Sequence, residues 1–144
     1  MTVHPIAAVL AGTPHRHPML LLDRIESLEP GRRGAAVKAV TADEVQSEAA
    51  PEGGLAPTLL VDALGQLAIV VLDAAGGAAR SVWYLGSVEA MEFPESTRPG
   101  DVVRMEAVVQ RTFRGSSRVR VRARVGDRDV ARGVMVLSTG ADRK

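Results

Sequence analysis

The sequence predicts an α+β fold in which an antiparallel sheet curls around one enclosed helix, and three observations carry that expectation. First, the stretch from Thr58 to Ala75 bears Leu59, Leu60, Ala63, Leu64, Leu67, Ala68, Val70, Val71 and Leu72, which cover nearly its whole circumference. A helix apolar all round must be enclosed. Second, four valine-rich or alternating segments of strand length follow that helix. Third, Pro-Gly, Gly-Ser and Gly-Asp signals separate them, as the turns of an antiparallel sheet should. Periodicity by itself reaches no further than α+β.

Taken in order, Ile6 to Leu10 suits a short helix that Gly12 closes, and Thr13-Pro14 opens a loop. Arg24 to Leu28 and Gly34 to Val40 flank Pro30-Gly31, a turn dipeptide, and read as a hairpin. Glu44 to Ala56 is a loop rich in Ala, Glu, Pro and Gly. The helix follows and stops at Gly76-Gly77, as C-terminal glycines stop helices. Strands are expected over Ser81 to Phe93, Val102 to Phe113, Arg118 to Val125 and Val130 to Ser138. Their turns are Pro99-Gly100-Asp101, Gly115-Ser116 and Gly126-Asp127.

A chain of 144 residues with 46% hydrophobic content fits one domain, expected to span 1–144. Its net charge of +1 supplies no field for a polyanion, so nucleic acid is not the natural partner. The lack of cysteine excludes disulfides and thiolate chemistry and is compatible with a reducing cytosol. His15 and His17 stand on a loop with no second histidine pair at ligand spacing, so no metal and no cofactor are expected. Met1 to Pro5 lacks the basic and long apolar parts of a signal peptide. The apolar run from Leu59 to Leu72 is broken by Asp62 and Gln66 and is short for a bilayer. These features predict a cytoplasmic protein without a membrane partner.

Asp62 is the only acid in the body of the apolar helix, and Gln66 lies one turn later on the same face. Burying an unpaired carboxylate among leucines costs several kcal/mol, so its presence asks for a reason. On the residues alone, two reasons stand side by side: chemistry at this position, or a solvated gap where the pair bond each other. Arg118, Arg120, Arg122 and Arg124 alternate with Val119, Val121, Ala123 and Val125, which puts four arginines on one strand face. That face is either simply solvated or a dock for an acidic partner.

Thr13-Pro14-His15-Arg16-His17-Pro18-Met19-Leu20-Leu21-Leu22-Asp23-Arg24 resembles the Pro-His-Arg-x-Pro-Phe-Leu-Leu-x-Asp-Arg opening of the β-hydroxyacyl-acyl-carrier-protein dehydratases. Val37-Lys38-Ala39-Val40-Thr41 is similar to that family's Val-Lys-Asn-Val-Ser/Thr strand, and Asp62-Ala63-Leu64-Gly65-Gln66 to its acid-Ala-x-x-Gln segment. Trp83 to Ala90 is similar to its aromatic-aromatic-x-Gly-x-x-x-Ala strand, and Arg98-Pro99-Gly100-Asp101 to its Pro-Gly-Asp turn. The resemblance runs from Pro5 to about Ser138.

This resemblance implies the hot-dog fold and a dimer in which each site draws on both subunits. In the family a histidine removes the α-proton of a 3-hydroxyacyl thioester and an acid protonates the departing hydroxyl. Backbone N–H groups at the helix start polarise the thioester carbonyl. Most members carry Glu as the acid; the branch that also isomerises the double bond carries Asp, as Asp62 here. The resemblance makes Asp62 and Gln66 the catalytic pair, and Gly54, Pro57, Thr58 and Gly86 the substrate-binding positions. It makes His15 and Arg16 structural, with His17 for packing or surface.

The family's catalytic histidine should fall near Ala49 or Ala50, yet Gln46-Ser47-Glu48-Ala49-Ala50-Pro51-Glu52-Gly53-Gly54 contains no imidazole. Neither alanine accepts a proton, and Glu48 and Glu52 have no evident reason for a raised pKa. If Thr58 takes the place of the family's glycine its N–H can serve the carbonyl; if Pro57 does, that donor is gone.

The expected activity is that of a 3-hydroxyacyl-carrier dehydratase subunit contributing Asp62 to a site completed by a histidine-bearing homologue, as a heterodimer or larger heteromer. Its substrate partner is an acyl carrier protein with a phosphopantetheine-linked chain, in fatty-acid or polyketide/polyene chain building, and the four arginines are its candidate dock. A non-catalytic stabilising or carrier-binding subunit, including a homodimer, is the second expectation. A thioesterase in which Asp62 orients water is the third.

Overall fold

The structure, a computed structural model, describes Arg16 and residues 19–42, 54–76 and 81–139. The expected Ile6 to Leu10 helix, His15, His17, Glu48, Ala49, Ala50 and Glu52 lie outside the described residues. The elements are β1 (Arg24–Glu29), β2 (Arg33–Ala39), α1 (Pro57–Ala74), β3 (Trp83–Glu92), β4 (Val102–Phe113), β5 (Ser116–Val125) and β6 (Arg128–Thr139). They form one six-stranded sheet in the order β1-β2-β4-β5-β6-β3, with every neighbouring pair antiparallel. Helix α1 lies across β4, β2, β5 and β6, so the expected sheet around a helix is what forms.

Strand β5 explains why the sheet has a dry face. Ser117, Val119, Val121 and Ala123 are buried, while Arg118, Arg120 and Arg122 between them are exposed. From the other side come Leu60, Ala63, Leu64, Leu67, Ala68 and Val71, all at 2% exposure or less. Each leucine so enclosed contributes about 1.5–3 kcal/mol through its burial. By length and composition α1 is apolar enough to cross a membrane, but its apolar surface is turned onto its own sheet. One helical residue runs against propensity: Gly65, in mid-helix, costs about 1 kcal/mol relative to alanine.

Both ends of the β4-β5-β6 meander run further than the sequence suggests. β5 starts at Ser116 and β6 at Arg128, because the turns between them are only two residues long. Phe113 pairs with Ser116 across Arg114 and Gly115, which both take positive φ (49° and 78°), and Val125 pairs with Arg128 across Gly126 and Asp127. Turns of that hand match the twist of the strands they join.

The β1-β2 turn fastens the hairpin to the helix. Gly31 has φ 72° and its N–H donates to the Val71 carbonyl at 2.8 Å. A Cβ there would stand 2.8 Å from the Ala75 Cβ, so both the backbone conformation and the close approach select glycine. Asp23 serves the other end of the hairpin. Its N–H donates to the Val37 carbonyl at 2.9 Å and its Oδ2 accepts the Ala39 N–H at 2.6 Å, which extends the pairing beyond β1 through a side chain.

Candidate active site

Helix α1 begins without a side-chain cap. Ala56 holds the N-cap position in an extended conformation, Pro57 opens the first turn, and no acid stands in that turn. The Ala56 carbonyl accepts both the Leu59 N–H (2.9 Å) and the Leu60 N–H (3.1 Å). Pro57 has no N–H to give. Thr58 therefore carries the one first-turn donor with no acceptor among the described residues, and Thr58 itself is exposed. The positive end of the helix adds to the pull of that N–H on an electron-rich oxygen.

The segment leading into the helix is held by Thr97, a residue without any motif signal in the sequence. Thr97 is 2% exposed, and its Oγ1 accepts the Leu55 N–H at 2.7 Å. A Cβ on Gly54 would lie 1.9 Å from the Thr97 carbonyl oxygen, so glycine at 54 is a condition of the two segments touching. The structure thus gives Gly54 a packing duty that fixes where Pro57 and Thr58 start.

Asp62 follows one turn after Thr58, partly exposed on the helix flank. Gln66, fully buried, faces it with Nε2 at 3.5 Å from Asp62 Oδ2. That contact is at the outer limit of a hydrogen bond. Gln66 has stronger attachments: Oε1 accepts the Leu21 N–H at 2.9 Å and Nε2 donates to the Met19 carbonyl at 2.6 Å. The glutamine clasps the Met19 to Leu21 segment of the opening motif to the helix. Its two short bonds are to backbone, so the structure ties Gln66 to that segment more firmly than to Asp62.

The remaining expected positions lie elsewhere. Gly86 is on β3, the outermost strand beyond β6, where the pairing register shifts between Leu85 and Ser87. A Cβ there would come within 3.3 Å of the Val136 carbonyl oxygen. The four arginines of β5 are on the sheet face opposite α1, so the sheet separates them from Asp62. Arg122 forms a two-point ion pair with Asp129 (2.7 and 3.2 Å), and Arg118 pairs with Glu89. Arg120 and Arg124 have no ion pair among the described residues. A cavity of about 580 Å³ on this face is lined by Glu92, Glu106, Asp129, Arg120, Arg122 and Arg132 among others. Three acids balance three arginines there, so it lacks the one-sided field of an anion trap.

Comparison with known proteins bears on the assembly as a whole. The FabA-like domain model matches residues 13–133. The 3-hydroxyacyl-[acyl-carrier-protein] dehydratase FabZ of Ruminiclostridium cellulolyticum is 36% identical over 125 residues, covering 83% of this chain and 86% of that protein. Its counterpart in Chloroflexus aggregans is also 36% identical over 125 residues, covering 85% and 86%. Among solved structures, the dehydratase heterocomplex ApeI:P of Xenorhabdus doucetiae superposes with a TM-score of 0.79 at 16% identity, over 93% of this chain and 91% of the other. A likeness at that identity speaks for the hot-dog fold. The sequence matches go further: with a family model over most of its length and relatives above 30% identity, the chain belongs to the FabA-like family of β-hydroxyacyl-acyl-carrier-protein dehydratases.

Proposed function

We propose that this chain is one half of a 3-hydroxyacyl-carrier dehydratase: it supplies the acid, Asp62, and the oxyanion donor, the Thr58 N–H, to a site whose base is a histidine of a homologous partner. The observation that carries this reading is the placement of Asp62 one turn after a Thr58 N–H that has no acceptor among the described residues, in a chain whose histidines are only His4, His15 and His17. The two residues start about 6 Å apart along the helix axis, and a 3-hydroxyacyl thioester offers them a carbonyl and a hydroxyl two carbons apart. The partner's imidazole takes the proton from C2, the freed electron pair forms the C2–C3 double bond and expels the C3 hydroxyl, and Asp62 gives its own carboxyl proton to that oxygen as water leaves. The carboxyl proton is restored through solvent as the imidazolium loses the C2 proton. Thr58 holds the carbonyl oxygen while negative charge gathers on it.

Gly54 and Pro57 set the position of the oxyanion donor, Gly86 marks the exposed strand at which a second chain meets this one, and Gln66 lies beside the acid. Of the β5 arginines, Arg120 and Arg124 are the two without an ion pair among the described residues, but their face lies across the sheet from Asp62, so carrier docking there forms no part of this reading. The ApeI:P protein, named as a dehydratase heterocomplex, supports the idea that a dehydratase of this fold can work with an unlike partner. A cytoplasmic location and a substrate presented on the phosphopantetheine arm of an acyl carrier protein complete the reading.

The test is a dehydration assay on 3-hydroxyacyl-carrier substrates with the chain alone, with a histidine-bearing homologue from the same source, and with Asp62→Asn in that mixture. The expected pattern is no turnover alone, turnover in the mixture beyond that of the homologue by itself, and a fall of at least a hundredfold with Asp62→Asn. Full activity of the isolated chain, or an Asp62→Asn mixture as active as the wild type, overturns it.

A further inference from the structure

We infer that Gly65 determines which acyl chains the site accepts, because the bare backbone at this position is where the chain beyond C3 lies against α1. The inference rests on the dehydratase reading above and extends it from the reaction to the shape of the substrate.

Neither usual reason for a glycine applies at residue 65. Its backbone is helical, and it is not among the residues with positive φ. Among the described residues, a Cβ built on it meets no heavy atom within 4 Å beyond its chain neighbours and its own helix backbone, in contrast to Gly54, where the same atom would collide with Thr97. An alanine would fit without a clash and would favour the helix. The helix therefore forgoes stability to keep this spot bare, and nothing within the described residues benefits.

What borders the spot identifies the beneficiary. Asp62 lies three residues before Gly65 and Ile69 four residues after it, so all three share a face. Val61, Asp62 and Ile69 are the partly exposed members of mid-helix, whereas Ala63, Leu64, Leu67 and Ala68 are fully buried against the sheet. Gly65 thus opens onto the flank that carries the acid and that the sheet leaves uncovered. It is itself buried, so the opening is a crevice rather than a flat surface. Its flanking side chains, Val61 and Ile69, are hydrocarbon.

The substrate's direction follows from the chemistry. With the carbonyl at Thr58 and the C3 hydroxyl at Asp62, the chain advances from the N-terminal toward the C-terminal end of the helix. Gly65 lies about 4.5 Å further along the axis than Asp62. An extended chain covers that distance with roughly three to four carbons past C3. A β-carbon at residue 65 would occupy the path of those carbons, and a branched side chain would close it.

The experiment compares wild type, Gly65→Ala and Gly65→Val, each assembled with the histidine-bearing partner, on 3-hydroxybutyryl-carrier and 3-hydroxydecanoyl-carrier. The butyryl chain ends at C4, before Gly65; the decanoyl chain passes it. The ratio of kcat/KM for decanoyl over butyryl is expected to fall at least tenfold with Gly65→Val and by a smaller factor with Gly65→Ala. Gly65→Ala alone is expected to melt at the wild-type temperature or above. An unchanged ratio, or equal loss on both chains, overturns the inference. So does dissociation of the variant complex on a sizing column, which would assign the glycine to subunit contact. A wild-type complex that dehydrates butyryl but not decanoyl also overturns it while leaving the divided site intact. One that dehydrates neither refutes the divided site, and the inference falls with it.

Discussion

At the scale of single residues, the site depends on polar groups that reach across long stretches of chain. Gln66 bonds Met19 and Leu21, 47 and 45 residues away. Replacing it with alanine leaves a buried N–H and a part-buried carbonyl without partners, and the expected loss is roughly 1 to 3 kcal/mol. Urea denaturation measures it, and a midpoint unchanged from wild type would show that the clasp is dispensable. Gly54→Ala is expected to lose roughly 1 to 3 kcal/mol, since the Thr97 carbonyl cannot move without dragging its strand connection. Combined with Thr97→Val, its effect should be less than additive in the same assay, because both disturb one contact. Asp62 and Gln66 were legible from sequence because polar residues in an apolar helix violate its pattern. Thr97 was not: a threonine in a loop breaks no rule, and its partner Leu55 is 42 residues distant. Gln66 was legible as important but not as a clasp, since sequence spacing pointed it at Asp62 and the better bonds go to backbone.

At the scale of elements, the strands and turns were largely readable, and what escaped was the pairing of charges on the outer face. Alternation in β5 places Arg118, Arg120, Arg122 and Arg124 on one side, but it cannot say which acids stand opposite. Register decides that. Arg122 and Arg132 are direct cross-strand neighbours, a repulsive arrangement that Asp129 resolves by bonding both. The hydrogen bond from Arg122, helped by Arg132, holds the Asp129 carboxyl below its ordinary value of 3.8. Glu29 is held below its ordinary 4.5 chiefly by the hydrogen bond from Arg33. With folded values depressed, the unfolded chain takes up protons first as pH falls. The contribution of these groups is therefore complete above about pH 5 and is lost as pH drops through the unfolded and then the folded values. Asp129→Asn should flatten the fall in melting temperature between about pH 5 and pH 3, and added salt should weaken the wild-type dependence. Parallel curves for mutant and wild type would remove Asp129 from the account.

At the scale of the whole molecule, the sheet has two edges, and they are built differently. Edge strand β3 is ten residues long and exposes Tyr84 (58%), Leu85 (46%) and Val88 (40%). A long apolar edge invites another strand. Val88→Lys is expected to shift the assembled protein toward single chains in sedimentation analysis; an unchanged mass would place the contact elsewhere. Sequence reading anticipated a dimer only through family resemblance, because edge position depends on strand order, which local patterns do not encode. The opposite edge, β1, is six residues long, is bent by a register shift between Ile25 and Ser27, and carries Arg24, Glu26 and Glu29. Short length, a bulge and charge are the features that discourage strand addition. A molecule with one welcoming edge and one guarded edge can be joined on a single side. Growth by strand addition would then stop at a pair instead of running on into a filament, so the asymmetry between β3 and β1 selects against open-ended strand pairing.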